Sequence, residues 1–576
     1  MSKILRINMN KKNSCYESVP EDLAGLGGRG ITSLLVAREI PPACDPLGPE
    51  NKLVLAPGIL SGTSCPNSGR LSIGAKSPLT GGIKESNAGG ASAAKLARIG
   101  LAGVIIEGQP ADDGWYVLSL TANSAELLAA DELKGLGTYA LVRELRQKHS
   151  PAAAILCIGP AGEQQLHSAS IQVTDLDGNP CRAAGRGGLG ALMAAKGLKA
   201  IIIDDRDGAA PAIADPKLFK AGQKKIAGAI RAHPVSGEAM PALGTAMVVG
   251  PMNAVGAFPT RNCRSGTYAQ WEKISGEALA ERITERGGQT THTGCSNCII
   301  RCSNVYVDQQ KKYITASLEY ETIWALGGMC EIDDFDVLAR FDHLCDDLGV
   351  DTMNTGCAIA VAMEAGLKDF GDAEGALALT EEIRSGSELG RLIGHGPAAV
   401  GEQYNITRVP VVKRQSLAAY DPRAIQGMGV TYATSPMGAD HTAGWTVAEN
   451  LEAMGGRGNA LVPDDQVEIS RNIQIGTAAN DATGLCQFTG FPLGDDPSGG
   501  QGMFEVLSAH LGREFSPEDF TALGKRILKT EHEFNLAAGL TDKDDRLPPF
   551  YYSEPLPPHN KTFLVPDEEL DTLFDF

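Results

Sequence analysis

GCSNCIIRC, residues 294–302, is the most specific stretch of the sequence and the starting point for its fold class. It places Cys295, Cys298 and Cys302 in a C-x2-C-x3-C run, so three thiolates can wrap one small inorganic centre. A zinc site would favour two paired C-x2-C units or nearby histidines, and a radical-SAM cluster would usually have the reversed spacing. Three unligated core cysteines are a further alternative. A cubane iron–sulfur cluster with a distant fourth cysteine fits the spacing best.

The fourth ligand has ten candidates elsewhere in the chain: Cys15, Cys44, Cys65, Cys157, Cys181, Cys263, Cys330, Cys345, Cys357 and Cys486. Cys486 stands out because it ends a repeated pattern. Asp346–Asp351 reads DDLGVD and Asp481–Cys486 reads DATGLC, which share D-x-x-G, a hydrophobic residue and a final Asp or Cys. The glycine of each permits a left-handed turn at a helix C-terminus. Each copy alone is compatible with a plain helix cap, whereas the pair predicts two similar polar ligands on opposite sides of one centre.

These motifs resemble the tungsten-dependent aldehyde ferredoxin oxidoreductases. That family holds tungsten, or molybdenum, between two molybdopterin-type dithiolenes, with one [4Fe–4S] cluster alongside. The resemblance implies that Cys295, Cys298, Cys302 and Cys486 ligate the cluster, and that the dithiolenes, not the protein, coordinate the tungsten. Val350 replaces the family's Leu. The resemblance assigns six residues to the two pterins: Asp346, Gly349, Asp351, Asp481, Gly484 and Leu485.

The resemblance continues through the first part of the chain, in LGGRG (26–30), GRLSIGAKSPLTGG (69–82), SNAGG (86–90) and AAGRGGLGALMAAKGLKAI (183–201). Glycine-rich turns expose backbone N–H groups to phosphates, and basic side chains add positive charge. We expect cofactor binding by Arg29, Gly30, Arg70, Lys76, Asn87, Gly89, Arg182, Ala183, Ala184, Gly185, Arg186 and Gly187. By resemblance, Arg70 lies between a pterin and the cluster. Asn87 resembles a ligand of a magnesium ion that bridges the pterin phosphates, with a carbonyl near Ala183 or Ala184 as its partner.

Two glycine-rich stretches, residues 25–30 and 185–190, also match G-x-G-x-x-G. A dinucleotide-binding fold needs an apolar strand before this motif and a full helix after it. The segment NPCRAA before the second copy does not read as a strand, and Gly197 cuts the following helix short. Direct NAD binding is therefore disfavoured.

Two further blocks contain candidate catalytic residues. EYETIWALGG begins at Glu319, and a carboxylate at an apolar border can accept a proton near neutral pH because desolvation raises its pKa. YATSPMGADHTAG contains His441. In the alternative without a catalytic role, Glu321 is an exposed carboxylate at the start of a helix and His441 is a structural histidine. The resemblance places Tyr320, Glu321, His441 and Tyr420 beside the metal or in the substrate pocket.

Composition narrows the class of protein. The net charge of −19 makes nucleic-acid binding improbable and disfavours acidic membranes. Thirteen scattered cysteines do not form a secreted disulfide framework, and the sequence lacks an apolar run of signal-peptide or membrane-spanning length. A cytoplasmic location is expected.

Short apolar runs in the first part of the chain and helical spacing of apolar residues in the rest predict an α+β fold. Residues 1–207 should form a β-rich domain of two sheets that is the pterin-binding base. Two mainly helical domains, 208–415 with the cysteine run and 416–576 with the second D-x-x-G element, should follow. The proline-rich segment 548–560 is expected to lie extended over the surface.

The expected function is oxidation of aldehydes to carboxylic acids, with electrons passed through the cluster to ferredoxin or a dedicated iron–sulfur subunit. The reverse reaction is open. The resemblance also allows a flavin-carrying subunit and an oligomeric assembly. Two alternatives stay open: a family member with another substrate, such as an aromatic ring reductase subunit, and a non-catalytic electron-relay subunit.

Overall fold

The computed structural model describes residues 3–456 and 458–576 of the chain. Within them, no helix has both the length and the apolar character needed to cross a membrane. The strands are β1 Lys3–Asn8, β2 Asn13–Ser18, β3 Leu53–Pro57, β4 Leu71–Lys76, β5 Ile83–Ala88, β6 Leu101–Glu107, β7 Tyr116–Leu120, β8 Ala125–Ala129, β9 Ala154–Cys157, β10 Ile171–Val173, β11 Arg182–Ala184, β12 Leu198–Ile203, β13 Gln289–His292, β14 Ser303–Val307, β15 Tyr313–Ala316, β16 Val411–Val412 and β17 Gln415–Ser416.

Helices occur throughout the chain and dominate it after β12. They are α1 Gly28–Glu39, α2 Ser92–Arg98, α3 Thr138–Lys148, α4 Pro160–Glu163, α5 Leu189–Ala195, α6 Pro216–Ala232, α7 Met240–Leu243, α8 Val249–Ala254, α9 Gly276–Arg286, α10 Tyr320–Cys330, α11 Phe335–Leu348, α12 Thr352–Glu364, α13 Ala373–Ser385, α14 Glu388–Gly394, α15 Pro397–Tyr404, α16 Gln426–Thr434, α17 Val447–Asn450, α18 Gln466–Thr483, α19 Gly490–Asp495, α20 Pro497–Leu511, α21 Pro517–Ala537, α22 Phe550–Ser553 and α23 Asp567–Leu570.

Two six-stranded mixed sheets form the N-terminal part, which confirms the predicted α+β class. Their strand orders are β2-β1-β6-β3-β4-β5 and β11-β10-β9-β12-β7-β8. Strand β1 runs parallel to β6, and β7 runs parallel to β12, whereas the other neighbours are antiparallel.

One hydrophobic core lies between these sheets. Successive side chains of a strand point to opposite faces of its sheet, so each strand contributes apolar residues to this shared core and to a second core on the outer face. Leu53 and Leu55 of β3 enter the shared core, whereas Val54 belongs to the core on the outer face beside α1. In β12, Ile201 faces the shared core and Ile202 the outer one. The strands are therefore apolar on both faces, which the short apolar runs of the sequence reflect.

The helical part packs around a core that includes α10, α11, α12 and α16. Helices α10 and α12 touch closely at Gly356, where an added Cβ would lie 2.5 Å from the carbonyl oxygen of Ala325. This core contains both Phe341 and Tyr432, from the two regions predicted as separate helical domains. The domain boundaries at 207 and 415 stay predictions.

Two local predictions are wrong. The segment NPCRAA contains the short strand β11, although this is an antiparallel edge strand and not the parallel strand of a dinucleotide-binding fold. The proline-rich segment 548–560 is not extended throughout, because Phe550–Ser553 forms α22. Phe550 and Tyr551 are buried beneath the Arg423 guanidinium, and burial of the two aromatic rings favours the helical turn over an extended surface path.

Candidate active site and cysteine cluster

Both D-x-x-G elements form helix C-terminal turns. Helix α11 ends before Gly349, with φ of +71°, and α18 ends before Gly484, with φ of +83°. Left-handed backbone at these positions favours glycine. The chain continues differently from the two turns: the Asp351 carboxylate caps α12 by accepting from Met353 N at 3.0 Å, and Cys486 continues toward the cysteine run.

A cavity of about 220 Å³ lies between these turns and the edges of the two sheets. Its lining includes nine residues that the sequence suggested: Arg70, Asn87, Ala183, Gly185, Arg186, Asp346, Asp351, His441 and Asp481. Segments hundreds of residues apart therefore meet in one place. Gln172 on β10 also lines it, with a buried Oε1 atom that has no hydrogen-bond partner among the described residues.

The two D-x-x-G carboxyl groups have raised pKa values. Burial, reinforced by the Glu85 carboxylate, raises the pKa of Asp481 to about 8 against the opposing Arg29. Burial and the Asp342 carboxylate raise the pKa of Asp346 well above its usual range. A carboxyl group that stays protonated near neutral pH can donate as well as accept hydrogen bonds, which suits a polar heterocyclic ligand.

Arginines hold the walls of the cavity in place. The Arg186 guanidinium donates to Asp351 Oδ2 at 3.1 Å and to the carbonyl oxygen of Ala439 at 2.7 Å. The Arg70 Nε atom donates to Asn87 Oδ1 at 2.5 Å. Asn87, the predicted magnesium ligand, therefore has its side-chain oxygen engaged by Arg70, with a second lone pair remaining.

His441 and Glu321 form the candidate catalytic pair. The His441 Nε2 atom lies 3.2 Å from Glu321 Oε1, and each side chain is only about 15% exposed. Glu321 Oε2 accepts from Ala419 N at 3.1 Å. Burial is the largest cause that raises the pKa of Glu321, with His441 opposing it. The carboxylate therefore has the raised proton affinity that a general base near neutral pH requires.

The two predicted pocket tyrosines lie behind this pair. The Tyr420 ring is centred 6.1 Å from the His441 ring and 5.6 Å from the Tyr320 ring. The Tyr320 hydroxyl donates to the carbonyl oxygen of Ala419 at 2.8 Å, so it fixes the backbone that holds Glu321.

Sequence reasoning missed a buried ion pair next to His441. The Lys84 ammonium, on β5, donates to Asp440 Oδ2 at 2.9 Å, and both side chains are buried. Asp440 Oδ1 lies 3.8 Å from His441 Nδ1, so the imidazole stands between two carboxylates. The signal available in the sequence was the carboxylate that directly precedes His441. Gly187 admits the Lys84 stem, since an added Cβ there would lie 2.5 Å from Lys84 Cγ.

The structure brings Cys486 to the cysteine run through Asn67. Cys486 N donates to the Asn67 carbonyl oxygen at 2.8 Å, and the Asn67 side-chain amide donates to Cys298 Sγ at 3.6 Å. Gly89 borders Cys295, because an added Cβ would lie 2.5 Å from its Sγ atom. All four cysteines are partly exposed, and no disulfide joins any cysteines of the described chain.

The spacing of the cysteine sulfurs distinguishes between a site for a single metal ion and a site for an iron–sulfur cluster. In residues 3–456 and 458–576, the only three His, Cys or carboxylate ligand atoms lying within 4.8 Å of one another belong to Asp175, Asp177 and His292. A single tetrahedral zinc ion would bring its sulfurs to about 4 Å from each other. The four thiols are therefore spread more widely than one ion requires, which suits a cluster of several iron atoms.

Two partly buried arginines, Arg70 and Arg182, lie beside these thiols. Burial raises the pKa of Cys486, and the Arg70 guanidinium opposes that rise. Burial and Glu319 raise the pKa of Cys302 well above its usual range, against Arg182. Arg182 in turn donates to Glu319 Oε1 at 3.4 Å. A metal centre that binds these thiolates would displace their protons, and the two arginines would offset part of the resulting negative charge.

Some of the predicted cofactor-binding residues lie elsewhere. Lys76 Nζ donates to the carbonyl oxygens of Pro42 and Cys44, away from the cavity lining. Arg29 is fully buried and donates to Glu531 Oε2 at 2.8 Å and Asp481 Oδ2 at 3.2 Å, so it acts on the cavity through Asp481. Gly30, Ala184 and Leu485 lie among packed core side chains.

Comparisons with known proteins agree over most of the chain. Residues 4–205 match the family model "aldehyde ferredoxin oxidoreductase, N-terminal domain", and residues 221–575 match "aldehyde ferredoxin oxidoreductase, domains 2 & 3". The tungsten-containing aldehyde ferredoxin oxidoreductases of Pyrococcus furiosus and Thermococcus kodakarensis are each 34% identical, covering 96% of this chain and 92% of the relative. The active site complex BamBC of benzoyl coenzyme A reductase, solved with 1,5-dienoyl-CoA, has the same fold, with a TM-score of 0.82, 20% identity and coverage of 100% of this chain and 93% of that one.

Proposed function

The chain belongs to the aldehyde ferredoxin oxidoreductase family and is an oxidoreductase, and from this premise we propose that it oxidises aldehydes to carboxylic acids at a tungsten centre held by two pterins. Electrons would leave through one [4Fe–4S] cluster to ferredoxin or an iron–sulfur partner subunit. The observation that carries the proposal is the Glu321–His441 pair, 3.2 Å apart beside a cavity that is also lined by Arg70 and Asp481, which lead to the four cysteines.

The residues present suit these groups. Asp346 and Asp481 both line the cavity and offer carboxyl groups to two similar polar ligands, and the unpartnered Gln172 Oε1 atom offers a further acceptor. Arg70 and Arg186 supply positive charge for anionic groups, as arginine does for phosphates. Cys295, Cys298, Cys302 and Cys486 are the proposed cluster ligands. A magnesium ion would take Asn87 Oδ1 and a backbone carbonyl near Ala183 or Ala184.

The tungsten–pterin centre, when bound, supplies the two-electron redox chemistry. Glu321 is placed to accept a proton, because burial raises its pKa and its Oε1 atom lies 3.2 Å from His441 Nε2. The His441 imidazole can polarise a carbonyl oxygen and hold a second proton between the Glu321 and Asp440 carboxylates. Tyr320 and Tyr420 fix the backbone and the aromatic wall behind this pair.

Arg70 and Cys486 connect the two ends of the site. Arg70 donates to Asn87 on the cavity wall and lies close to Gly89, which in turn borders Cys295. Asp481 lines the cavity, and Cys486 at the other end of the same turn joins the cysteine set. The six residues from Asp481 to Cys486 thus connect the proposed pterin site with the proposed cluster, a short path for an electron.

The test is aldehyde-dependent dye reduction by anaerobically purified protein. Glu321→Gln and His441→Asn should each lower kcat/KM about 100- to 10,000-fold, with iron and tungsten contents unchanged. Matched controls are Glu281→Gln and His149→Asn, whose parent side chains are exposed and which should leave turnover unchanged. Unchanged turnover in Glu321→Gln and His441→Asn with both metals present would contradict the proposed roles. An electron-relay subunit would show no aldehyde-dependent turnover even when fully loaded.

A further inference from the structure

The outer face of α6 carries positive charge that is unusual for this chain. Helix α6 contains five basic residues and no acidic one, whereas the whole chain has a net charge of −19. Lys217, Lys220, Lys224 and Arg231 are exposed and recur at helical spacing, so they form a single basic stripe. Of the five, only Lys225, at 2.5 Å from Glu505 Oε1, has an ion-pair partner in the described part of the chain.

This stripe lies next to the cysteine run. Gln223, on the flank of α6 beside Lys220, donates to the Ser64 carbonyl oxygen at 2.5 Å. The adjoining Thr63 carbonyl oxygen accepts from the Asn297 side chain at 2.8 Å, and Asn297 directly precedes Cys298. Two hydrogen bonds and a short piece of chain therefore connect the basic stripe to a proposed cluster ligand.

A half-exposed apolar edge beside the cysteines packs against the same core as the buried side of α6. Ile299 and Phe488 are partly buried, and each follows within two residues of a proposed cluster ligand, Cys298 and Cys486 respectively. Arg301, in the same loop, is exposed. A small apolar centre with a charged rim is the usual anatomy of a protein–protein contact.

The platform beneath the stripe is firmly packed. Helices α6 and α20 approach so closely at Gly222 that an added Cβ would lie 2.7 Å from the carbonyl oxygen of Gly502. The charges are therefore presented on a preformed surface, which limits the ordering cost of binding.

We propose that the basic stripe of α6, together with Arg301, Ile299 and Phe488, is the docking surface for a small acidic iron–sulfur electron carrier. This rests on the proposed function, because the carrier takes the electrons that leave the cluster. Complementary charge steers such encounters and raises their rate by about 10- to 1,000-fold at low ionic strength. In a chain of net charge −19, this basic helix face therefore adjoins the point where electrons would exit.

The test compares two triple variants with the same charge change. Lys217→Glu/Lys220→Glu/Lys224→Glu should raise KM for an acidic 2[4Fe–4S] ferredoxin about tenfold and flatten its dependence on ionic strength. It should leave kcat with saturating methyl viologen unchanged. The control Lys529→Glu/Lys543→Glu/Lys561→Glu replaces exposed lysines of α21 and the C-terminal segment, and should change the ferredoxin KM less than about twofold.

Direct binding of oxidised ferredoxin, measured without aldehyde, separates this proposal from the proposed function. If the holoenzyme shows no aldehyde oxidation but binds ferredoxin through α6, only the proposed function fails. If both triple variants weaken ferredoxin binding equally, net charge and not this surface is responsible, and the docking proposal is overturned. If the Lys217→Glu/Lys220→Glu/Lys224→Glu variant no longer binds phosphatidylglycerol vesicles but still binds ferredoxin, the stripe binds an anionic lipid surface and the docking proposal is overturned. If the glutamate variant folds poorly, the variant Lys217→Gln/Lys220→Gln/Lys224→Gln provides the same comparison.

Discussion

Replacement of Gly89 by alanine tests whether the cavity wall and the cysteine run fit one cluster. A Cβ at this position would lie 2.5 Å from Cys295 Sγ and 3.1 Å from Arg70 Nη1. Ordinary contact needs about 3.5 Å or more, so the sulfur must move by about 1 Å. Ligand distances in metal sites hold to within about 0.2 Å, so this movement is roughly five times the tolerance.

The expected cost follows from that overlap. Overpacking of this kind costs about 1–3 kcal/mol, which corresponds to about 5- to 150-fold weaker cluster binding. We expect Gly89→Ala to contain less iron and acid-labile sulfide per chain than the wild type and to show a weakened reduced-cluster EPR signal. Tungsten measured on the same sample distinguishes loss of the cluster from loss of the whole site.

Gly476→Ala is the matched control, because the same methyl group on α18 would have no atom within 4 Å. It should retain wild-type iron content. Full iron content and an unchanged EPR signal in Gly89→Ala would refute the reasoning, since the Cys295 thiol would then be free to move without consequence for the cluster.

Two further predictions concern the charged groups around His441. Because burial raises the pKa of Glu321, kcat/KM for an aldehyde should fall as the pH drops, with a midpoint above the ordinary pKa of 4.5. This fall at acidic pH should be absent from the residual activity of Glu321→Gln. If the variant shows the same fall, a group other than Glu321 is responsible for it. Lys84→Met leaves the Asp440 carboxylate buried without its 2.9 Å partner and should lower the free energy of unfolding by about 3–5 kcal/mol at neutral pH. Lys84 is the largest cause that lowers the Asp440 pKa against burial, so Asp440 contributes stability above its unfolded pKa near 3.8 that is lost as the pH falls toward its lower folded value. The difference between wild type and Lys84→Met in urea unfolding should therefore shrink below that pH, and a constant difference would contradict the assignment.

Local features of the site could be predicted from the sequence because their chemistry depends on spacing. The Cys295–Cys302 run and the two glycine turns at Gly349 and Gly484 are set within a few residues, where backbone conformation and ligand spacing are fixed by residue type. The apolar run that forms β7 and the helical spacing of apolar residues that forms α6 are likewise local patterns.

Pairings between distant segments could not be predicted in this way. Lys84 meets Asp440 across 356 positions, and Arg29 meets Glu531 across 502, so nothing local in the sequence indicates either pair. Lys76 shows that residues close in sequence can also lie far apart in the structure. It shares a glycine-rich block with Arg70, but β4 is extended, so the two residues lie roughly 20 Å apart and Lys76 contacts the loop at Pro42 and Cys44 instead.

The central claim is that four thiols, three in one loop and one far along the chain, hold an iron–sulfur cluster beside a tungsten centre. Iron, sulfide and tungsten analysis with EPR of anaerobically purified wild type, Cys486→Ser and Cys357→Ser tests it most directly. Cys357 is buried in α12 and should be dispensable for the cluster. We predict about four irons per chain in wild type and Cys357→Ser, and fewer, with an altered signal, in Cys486→Ser. Equal iron content and identical spectra in all three proteins would contradict the account.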